Sequence, residues 1–468
     1  MEQSHFHHAL KVIESVCTGC THCMNSCPTA AIRIRNGKAV IFDNKCIDCG
    51  HCYRVCPVQA ITVEQDDFND IYLYKYRVAL LPAVVSGQFP EKIAIGEIFQ
   101  ALHNMGFTHV YEIDHTVETL IEEYKSFLIE NSEKKPLISS FCPAIVRLIQ
   151  VRFPSMVDQI IAIKPPMDIA TLYYKQKLID EGGHPDEIGI FYITPCAAKI
   201  AAVKSPVGEK VSPISGVINI DALYNRISLE VNHNPSADTS KLEREHLTPA
   251  GIVWSLTGGE IAHFDGRCIA IDGIENVIQF LEKLENEEVD EIDFLELRAC
   301  DQGCAGGILT PANRFLTVER LRNRAKTYYQ QERVTEQRDI DRYKDFLVAH
   351  KSIEKVHPRP MLRLDEDLSK ALEKMERVRK LMCHLPGFDC GCCGSPSCQN
   401  LAEDIVKDEA NLSNCIFMQR IMETNHKLSP EHSLAIVEKI WGTNRLSKNC
   451  YKKGAQHEGF QINTNDKP

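Results

Sequence analysis

Apolar and polar residues alternate in blocks along the middle of the chain, and the blocks predict strands followed by helices. An apolar run at Val78–Pro82 predicts a strand, and a helical pattern follows at 95–105. A second apolar run at 110–113 predicts another strand, and the helical pattern resumes at 117–129. This alternation is typical of lobes built on parallel sheets.

The two ends of the chain carry shorter elements. Ala31–Ile34 and Ala60–Val63 predict short strands. The charged region 316–350 predicts helix, and Leu368–Met382 predicts an amphipathic helix that serves as a solvated spacer. Leu434–Trp441 predicts a short helix, and the polar composition that follows it predicts a disordered tail.

Composition and charge narrow the class of protein. The chain has 468 residues, of which 44% are hydrophobic and 25% charged, with a net charge of −11. A core of ordinary size and roughly two to four domains follow. The acidic balance argues against nucleic-acid binding. We find no apolar run of membrane-spanning length and no signal-peptide pattern at the N-terminus, so we expect a cytoplasmic protein without a membrane span.

Cysteine is the most informative residue type, with 20 in the chain. In a reducing compartment disulfides do not persist, and these cysteines are clustered, so they are interpreted as metal ligands. Two runs in the first seventy residues repeat one spacing and end in Pro28 and Pro57. The runs resemble those of bacterial two-cluster ferredoxins, where the fourth cysteine of each run ligates the other cluster. The resemblance implies one cubane on Cys17, Cys20, Cys23 and Cys56 and another on Cys46, Cys49, Cys52 and Cys27. A pair of zinc sites is the alternative.

Three further cysteine segments follow strand-like runs. They contain Cys142-Pro143, Cys196 with Lys199 three residues later, and Cys300 with Cys304. Each segment places cysteine at the carboxyl end of a strand, where open α/β sheets bind ligands. Taken singly, each cysteine would be a buried small hydrophobe.

In this order the three segments resemble the signature motifs of the FeFe-hydrogenase catalytic domain, the H-domain. Further matches are Leu81–Val84, Leu256–Glu260 and Ile271–Asn276. The resemblance implies a cubane on Cys142, Cys196, Cys300 and Cys304, the last also bridging to a diiron centre that carries CO and cyanide. It implies that Lys199 donates a hydrogen bond to a cyanide. It also places Pro82, Thr194, Pro195 and Gly306 at the cofactor.

The chain departs from the family at the expected proton relay and around the diiron centre. Phe141 stands where a relay cysteine is expected, Glu123 matches the first relay carboxylate, and Ser126 stands at the second. Thr194 and Arg298 replace methionines. A buried Arg298 needs an anionic partner, for which a cyanide or the cubane could serve. Two alternatives stay open: a diiron centre tuned to bind hydrogen with slow turnover, or a cubane without the diiron centre.

A final cysteine group resembles a small single-cluster domain of electron-transfer and corrinoid iron–sulfur proteins. Its ligands are assigned as Cys390, Cys393, Cys398 and Cys415, with Cys392 as a substitute for a neighbour and zinc as the alternative metal. Similar domains follow the H-domain in sensory members of the hydrogenase family.

The predicted fold class is an α/β two-lobed H-domain, preceded by an α+β ferredoxin-like domain and followed by a small α-rich 4Fe-4S domain. The boundaries are 1–70 for the ferredoxin-like domain, 71–350 for the H-domain, 351–382 for a helical linker, 383–425 for the single-cluster domain and 426–468 for the short helix and tail.

The sequence leaves three alternative functions. The first is a hydrogen or redox sensor, or a low-turnover hydrogenase, with H₂ as ligand, four cubanes, an electron-transfer partner such as ferredoxin and a signalling partner. The second is a working hydrogenase, which Phe141 and Ser126 disfavour. The third is an electron-transfer or iron–sulfur assembly protein that holds only cubanes.

Overall fold

The computed structural model describes residues 6–233, 247–328, 335–359, 364–365 and 367–443. The polar tail predicted from residue 444 lies outside them. Within them, no helix has both the length and the apolar character needed to cross a bilayer.

The N-terminal module consists of two similar halves, each with a short helix and strands. Its elements are β1 (Leu10–Val12), α1 (His22–Asn25), β2 (Ile32–Arg35), β3 (Lys38–Ile41), α2 (His51–Val55) and β4 (Ile61–Val63). β1 pairs antiparallel with β4, and β2 with β3. The two ribbons flank the cysteine-bearing helices, so the predicted strands near Ala31 and Ala60 are confirmed.

The central domain contains two parallel sheets with helices packed against them. The elements up to β9 are β5 (Tyr76–Leu81), α3 (Ile95–Asn104), β6 (His109–Glu112), α4 (Val117–Glu130), β7 (Leu137–Ile138), α5 (Pro143–Arg152), α6 (Pro166–Asp180), β8 (Ile188–Thr194), α7 (Ala197–Lys204) and β9 (Gly216–Asn219). Those that follow are α8 (Ile220–His233), α9 (Pro249–Trp254), β10 (Cys268–Asp272), α10 (Ile274–Glu285), β11 (Phe294–Arg298), α11 (Arg314–Tyr328), α12 (Thr335–Arg342) and α13 (Lys344–His350).

The four-stranded sheet has the order β6-β5-β8-β9, and the three-stranded sheet has the order β10-β11-β7. All strand pairs in both sheets are parallel. Two large apolar clusters fill the spaces between these sheets and their helices. This is the predicted two-lobed α/β class, and the strand and helix predictions at 78–129 are confirmed.

The C-terminal module is helical and has its own apolar cluster. Its helices are α14 (Leu368–Met382), α15 (Cys398–Val406), α16 (Ile416–Thr424) and α17 (Pro430–Trp441). Ser429 caps α17 by accepting from the His432 N–H, and Gly442 follows the helix at a φ of 82°. The predicted helices at 368–382 and 434–441 are therefore confirmed, the second with a longer N-terminal extent.

Candidate functional site: three groups of clustered cysteines

The N-terminal module brings its eight cysteines together in two crossed groups. Cys23 on α1 is surrounded by Cys17, Cys20 and Cys56, and the thiols of Cys46, Cys49 and Cys52 each lie near Cys27. Each group thus draws one cysteine from the other half of the module. Burial raises the pKa of the Cys23 thiol to about 12, since nearby thiols and low polarity both oppose its charge. Bound iron would supply the positive charge that makes such thiolates favourable.

Backbone donors prepare several of these sulfur atoms for negative charge. The Ala31 N–H donates to Cys27 Sγ at 3.2 Å, and the Ala60 N–H donates to Cys56 Sγ at the same distance. The Ala39 N–H donates to Cys17 Sγ at 3.3 Å. Because hydrogen bonds to sulfur tune cluster potentials, these donors suit cubane ligands.

The central domain gathers four cysteines between its two lobes. Cys142 caps α5 after β7, Cys196 caps α7 after β8, and Cys300 and Cys304 follow β11. Each of the other thiols contributes to the raised pKa of Cys300, whose main cause is burial. Burial also raises the pKa of Cys196 to about 12. One ligand therefore comes from the four-stranded lobe and three from the three-stranded lobe.

Two buried cations flank Cys304. The Lys199 ammonium lies 3.1 Å from the Tyr192 hydroxyl and 4.7 Å from the centre of the Phe141 ring. The Arg298 guanidinium lies 4.0 Å from the same ring. Although burial opposes the charge of Lys199, Tyr192 and the thiolate of Cys304 raise its pKa above the ordinary lysine value. Phe141 is thus packed between two cations beside the cysteine group.

Arg298 has carboxylate partners, which corrects the expectation that a cyanide or the cubane would neutralise it. Its Nη2 donates to Glu260 Oε1 at 3.0 Å, and its Nε lies 3.5 Å from Glu296 Oε1. Burial would lower the pKa of Arg298, but Glu260 and Glu296 raise it above its ordinary value. The two carboxylates therefore balance the cation within the protein itself, although Arg298 Nη1 has no hydrogen-bond partner among the described residues.

The predicted relay positions are tied to other partners. Glu123 on α4 forms a half-buried ion pair with Lys351. Ser126 is exposed, and its hydroxyl donates to the Glu122 carbonyl of its own helix at 3.2 Å. Phe141 is buried and carries no exchangeable side-chain proton. Neither Ser126 nor Phe141 offers a group that could pass a proton inward.

The remaining predicted cofactor residues shape the backbone around Cys196 and Cys304. The Thr194 hydroxyl accepts from the Cys196 N–H at 3.1 Å, and the Pro195 carbonyl accepts from Leu309 at 3.2 Å. A Cβ at Gly306 would lie 1.9 Å from the Asp301 carbonyl oxygen, so only glycine fits there. Pro82 precedes the turn that begins at Ala83, whose N–H donates to buried Asp114 at 2.5 Å.

The C-terminal cysteines line one cavity of about 280 Å³. Cys393, Cys398 and Cys415 are buried, whereas Cys390 and Cys392 are exposed. The Cys392 thiol lies close to those of Cys390 and Cys415, and the Cys393 thiol also lies close to both. The contacts do not separate Cys390 from Cys392 as the fourth ligand, so this alternative stays open.

The donor sets fit four cubanes, because the N-terminal module gathers two groups of four thiols, the central domain gathers one group of four, and five thiols line the C-terminal cavity. The surroundings of the expected diiron centre fit less well. Lys199 and the thiol of Cys304 are kept, but Phe141 contacts the cations that face this thiol, and Arg298 is held by Glu260. The residues around Cys304 therefore suit a cubane better than a diiron group.

Sequence reasoning missed the carboxylates of the site. Glu296 and Arg298 are two residues apart on β11, which places them on one face of the strand, and this spacing was a usable signal. Glu260 ends the segment Leu256–Glu260, whose only sequence signal is its resemblance to the hydrogenase family. Asp48, which joins Arg147 at 2.5 Å and His8 at 2.7 Å beside Cys46, carried no sequence signal because its partners are distant in the chain.

Comparison with family models gives three matches. The model for the iron-only hydrogenase large subunit, C-terminal domain, matches residues 75–265 and 232–308, which together span half of the chain. A 4Fe-4S dicluster model matches residues 9–57, and a model for an Fe–S cluster domain matches residues 385–417. The three matches coincide with the three cysteine groups.

Two curated proteins are similar to parts of the chain. Iron hydrogenase 1 from Clostridium pasteurianum is 24% identical over 264 residues, which is 45% of this chain and 45% of that protein. An NADP-reducing hydrogenase subunit from Solidesulfovibrio fructosivorans is 29% identical over 203 residues, which is 41% of this chain and 31% of that protein. The chain thus spans less than half the length of these relatives.

Solved structures of FeFe-hydrogenases also match. One, from work on stepwise H-cluster assembly, covers 63% of this chain and 97% of its own, with 15% identity and a TM-score of 0.45. A variant of the enzyme from Chlamydomonas reinhardtii covers 61% of this chain and 96% of its own, with 16% identity and a TM-score of 0.45.

Proposed function

We propose, on the premise that this chain belongs to the iron-only hydrogenase family, that it is an iron–sulfur redox protein that senses hydrogen or redox state, or turns hydrogen over slowly. The observation that carries the proposal is the state of the relay. Phe141 is buried without an exchangeable proton, and Ser126 is exposed and bonded to its own helix. General acid–base help of this kind contributes ~10²–10⁴-fold in enzymes, so its loss favours binding over turnover.

Retention of the ligand set supports a role for H₂. Cys142, Cys196, Cys300 and Cys304 converge, and Lys199 keeps its charge beside Cys304. A diiron group, where bound, would supply the site at which hydrogen is split. This chain's residues would contribute a cubane, a buried cation and a closed apolar wall formed by Phe141.

Electrons would reach the central site one at a time through the cubanes, from a carrier such as ferredoxin. A sensory role would also involve a signalling partner.

A second candidate is an electron-transfer or iron–sulfur assembly protein with cubanes only. One contact favours it: the Phe141 ring packs between Lys199 and Arg298, with centroid distances of 4.7 and 4.0 Å. In this case Arg298 needs no external anion, because Glu260 and Glu296 already neutralise it.

Infrared spectroscopy on anaerobic protein, co-produced with hydrogenase maturation enzymes, separates the two candidates. Iron would be counted and H₂ uptake assayed on the same sample. Sharp CO and cyanide bands with slow or absent H₂ turnover would support the first proposal. Iron near that of four cubanes, without those bands, would leave the second. Rapid H₂ turnover by the wild type would contradict both.

A further inference from the structure

The C-terminal module is docked on the N-terminal module through its main chain. The Ile34 N–H on β2 donates to the Gly394 carbonyl at 2.8 Å, and the Gly37 N–H donates to the Ile440 carbonyl at 2.8 Å. Gly37 has a φ of 71°, and a Cβ there would lie 2.6 Å from the Trp441 carbonyl oxygen. The turn between β2 and β3 can therefore approach the end of α17 this closely only because residue 37 is a glycine.

Buried ion pairs fix the same contact. Arg33 is 1% exposed and donates twice to Asp404, at 2.7 and 3.0 Å. Asp404 also accepts from Arg35 at 2.9 Å, and Lys45 donates to Glu403 at 3.0 Å. Burial opposes the charge of Asp404, but the bonds from Arg33 hold its pKa below the ordinary value. Removing one member of such a pair would leave an uncompensated buried charge, so these pairs oppose separation of the two modules.

The docking places two cysteine loops in contact. Met24, which follows Cys23, is 1% exposed, and its methyl group lies 3.0 Å from the Cβ position of Gly391. Gly391 follows Cys390 in the C-terminal ligand loop. The Trp441 indole N–H donates to the Cys392 carbonyl at 2.9 Å, which holds this loop against the module.

The N-terminal module also contacts the central domain, through the segment that follows Cys49. A Cβ at Gly50, which follows Cys49, would lie 2.3 Å from Ile308. Arg54 donates to the Gly306 carbonyl at 2.7 Å, two residues after Cys304. The four predicted cluster sites therefore form one continuous series from the C-terminal module to the central domain.

The ends of this series differ in access to solvent. In the outermost group Cys390 and Cys392 are exposed while Cys393, Cys398 and Cys415 are buried, whereas each of the eight cysteines of the N-terminal module is buried or partly buried. A protein carrier can approach a redox centre most closely where its ligand loop is exposed. The C-terminal loop is the place in the series that meets this condition best.

We propose that the C-terminal module is the end of the protein at which electrons are exchanged with a carrier. The Arg33–Asp404 bridge holds this module against the site formed by Cys17, Cys20, Cys23 and Cys56. In each passage one electron leaves a reduced one-electron carrier of the ferredoxin class, is held at the site of Cys393 and Cys415, and moves on past Met24. The carrier is oxidised by one electron, the acceptor site is reduced by one, and no bond or proton is involved. Two passages supply the two electrons of 2H⁺ + 2e⁻ = H₂.

This inference rests on the cubane sites and not on hydrogen as the ligand, so it is tested apart from H₂ chemistry. Full-length, cluster-loaded protein would be mixed anaerobically with reduced bacterial ferredoxin, and cluster bleaching would be followed by stopped-flow absorbance. Electron paramagnetic resonance of the fully reduced protein would report magnetic coupling between neighbouring clusters. Variants would be the double change Cys393→Ser/Cys415→Ser and the single change Asp404→Asn, with Glu376→Gln as control, since Glu376 pairs with Lys380 on the exposed face of α14.

We expect the double cysteine variant to lose one cubane of iron and to accept electrons at least tenfold more slowly. Asp404→Asn should keep its iron but lose part of the magnetic coupling and transfer rate, and Glu376→Gln should match the wild type. Unchanged reduction rates in the double variant would overturn the proposal. If that variant loses more than one cubane, Asp404→Asn decides by the same readings. Absence of H₂ activity in every sample would count against the proposed function alone.

Discussion

Replacing Arg298 with methionine should make the stability of the central domain depend steeply on pH. In the wild type the guanidinium contacts Glu260 at 3.0 Å and Glu296 at 3.5 Å, and all three side chains are at most 2% exposed. Glu296 keeps backbone donors after the change, including the N–H groups of Gly258 and Glu260, both at 2.9 Å. Glu260 loses its cation and must bind a proton to remain buried.

The size of the effect follows from proton linkage. Burial, followed by repulsion from Glu296, raises the pKa of wild-type Glu260 to about 7 against the pull of Arg298. A raised acid pKa stabilises the folded state below the unfolded pKa of about 4.3, and this contribution is lost as pH rises to the folded pKa. In the wild type the loss ends near pH 7. Without Arg298 the folded pKa is higher, so the loss continues above pH 7 at up to ~1.36 kcal/mol per pH unit, which is at most about 2.7 kcal/mol between pH 7 and 9.

Thermal unfolding measured anaerobically at several pH values tests this reasoning. At about 2 cal/mol/K per residue, the Tm of a unit of roughly 300 residues shifts by about 1.6 °C per kcal/mol. The Tm of Arg298→Met should therefore fall further than that of the wild type between pH 7 and 9, by up to about 4 °C. The double variant Arg298→Met/Glu260→Gln should lose this extra slope. Arg342→Met is the matched control, since Arg342 is 77% exposed and pairs with Asp339 at 3.3 Å on the surface. A Tm difference that is constant across pH would refute the assignment to Glu260.

Three further predictions concern the relay, a second buried acid and the C-terminal ligands. In protein that holds the diiron group, the double variant Phe141→Cys/Ser126→Glu should raise H₂ turnover, measured by gas chromatography, by up to ~10²-fold. No gain would show that these two positions do not limit the rate. Burial raises the pKa of Asp168 to about 7, so the wild type should lose up to about 4 kcal/mol of stability as the pH rises from 4 to 7. Asp168→Asn should not show this loss when Tm is measured against pH, and an unchanged pH profile in the variant would contradict the prediction. Cys392→Ser should leave the iron content near sixteen atoms per chain, whereas Cys415→Ser should lower it by about four atoms. A loss of iron from Cys392→Ser would instead make Cys392 the fourth ligand.

The local part of the structure could be predicted from the sequence because its signals are local. The cysteine spacings around Cys17 and Cys46, and the apolar runs at β5 and β8, lie within a few residues of the features they indicate. The partners of Arg298 could not be predicted as readily. A buried arginine only signals that an anion is near, and whether that anion is Glu260 or a cofactor depends on how the segment after α9 packs against β11. The same holds for Arg33, which reads as an ordinary strand residue until Asp404 is placed beside it.

The bridge between Arg33 and Asp404 also has a consequence for the order in which the protein is made. The two residues are 371 positions apart. At about 5–20 residues per second, roughly 20–75 s pass between the synthesis of the first and that of the second. During this interval Arg33 lacks its carboxylate, and the loop around Met24 is uncovered. Translation therefore leaves a period in which iron and sulfide can reach Cys17, Cys20, Cys23 and Cys56 before the C-terminal module is synthesised and covers them.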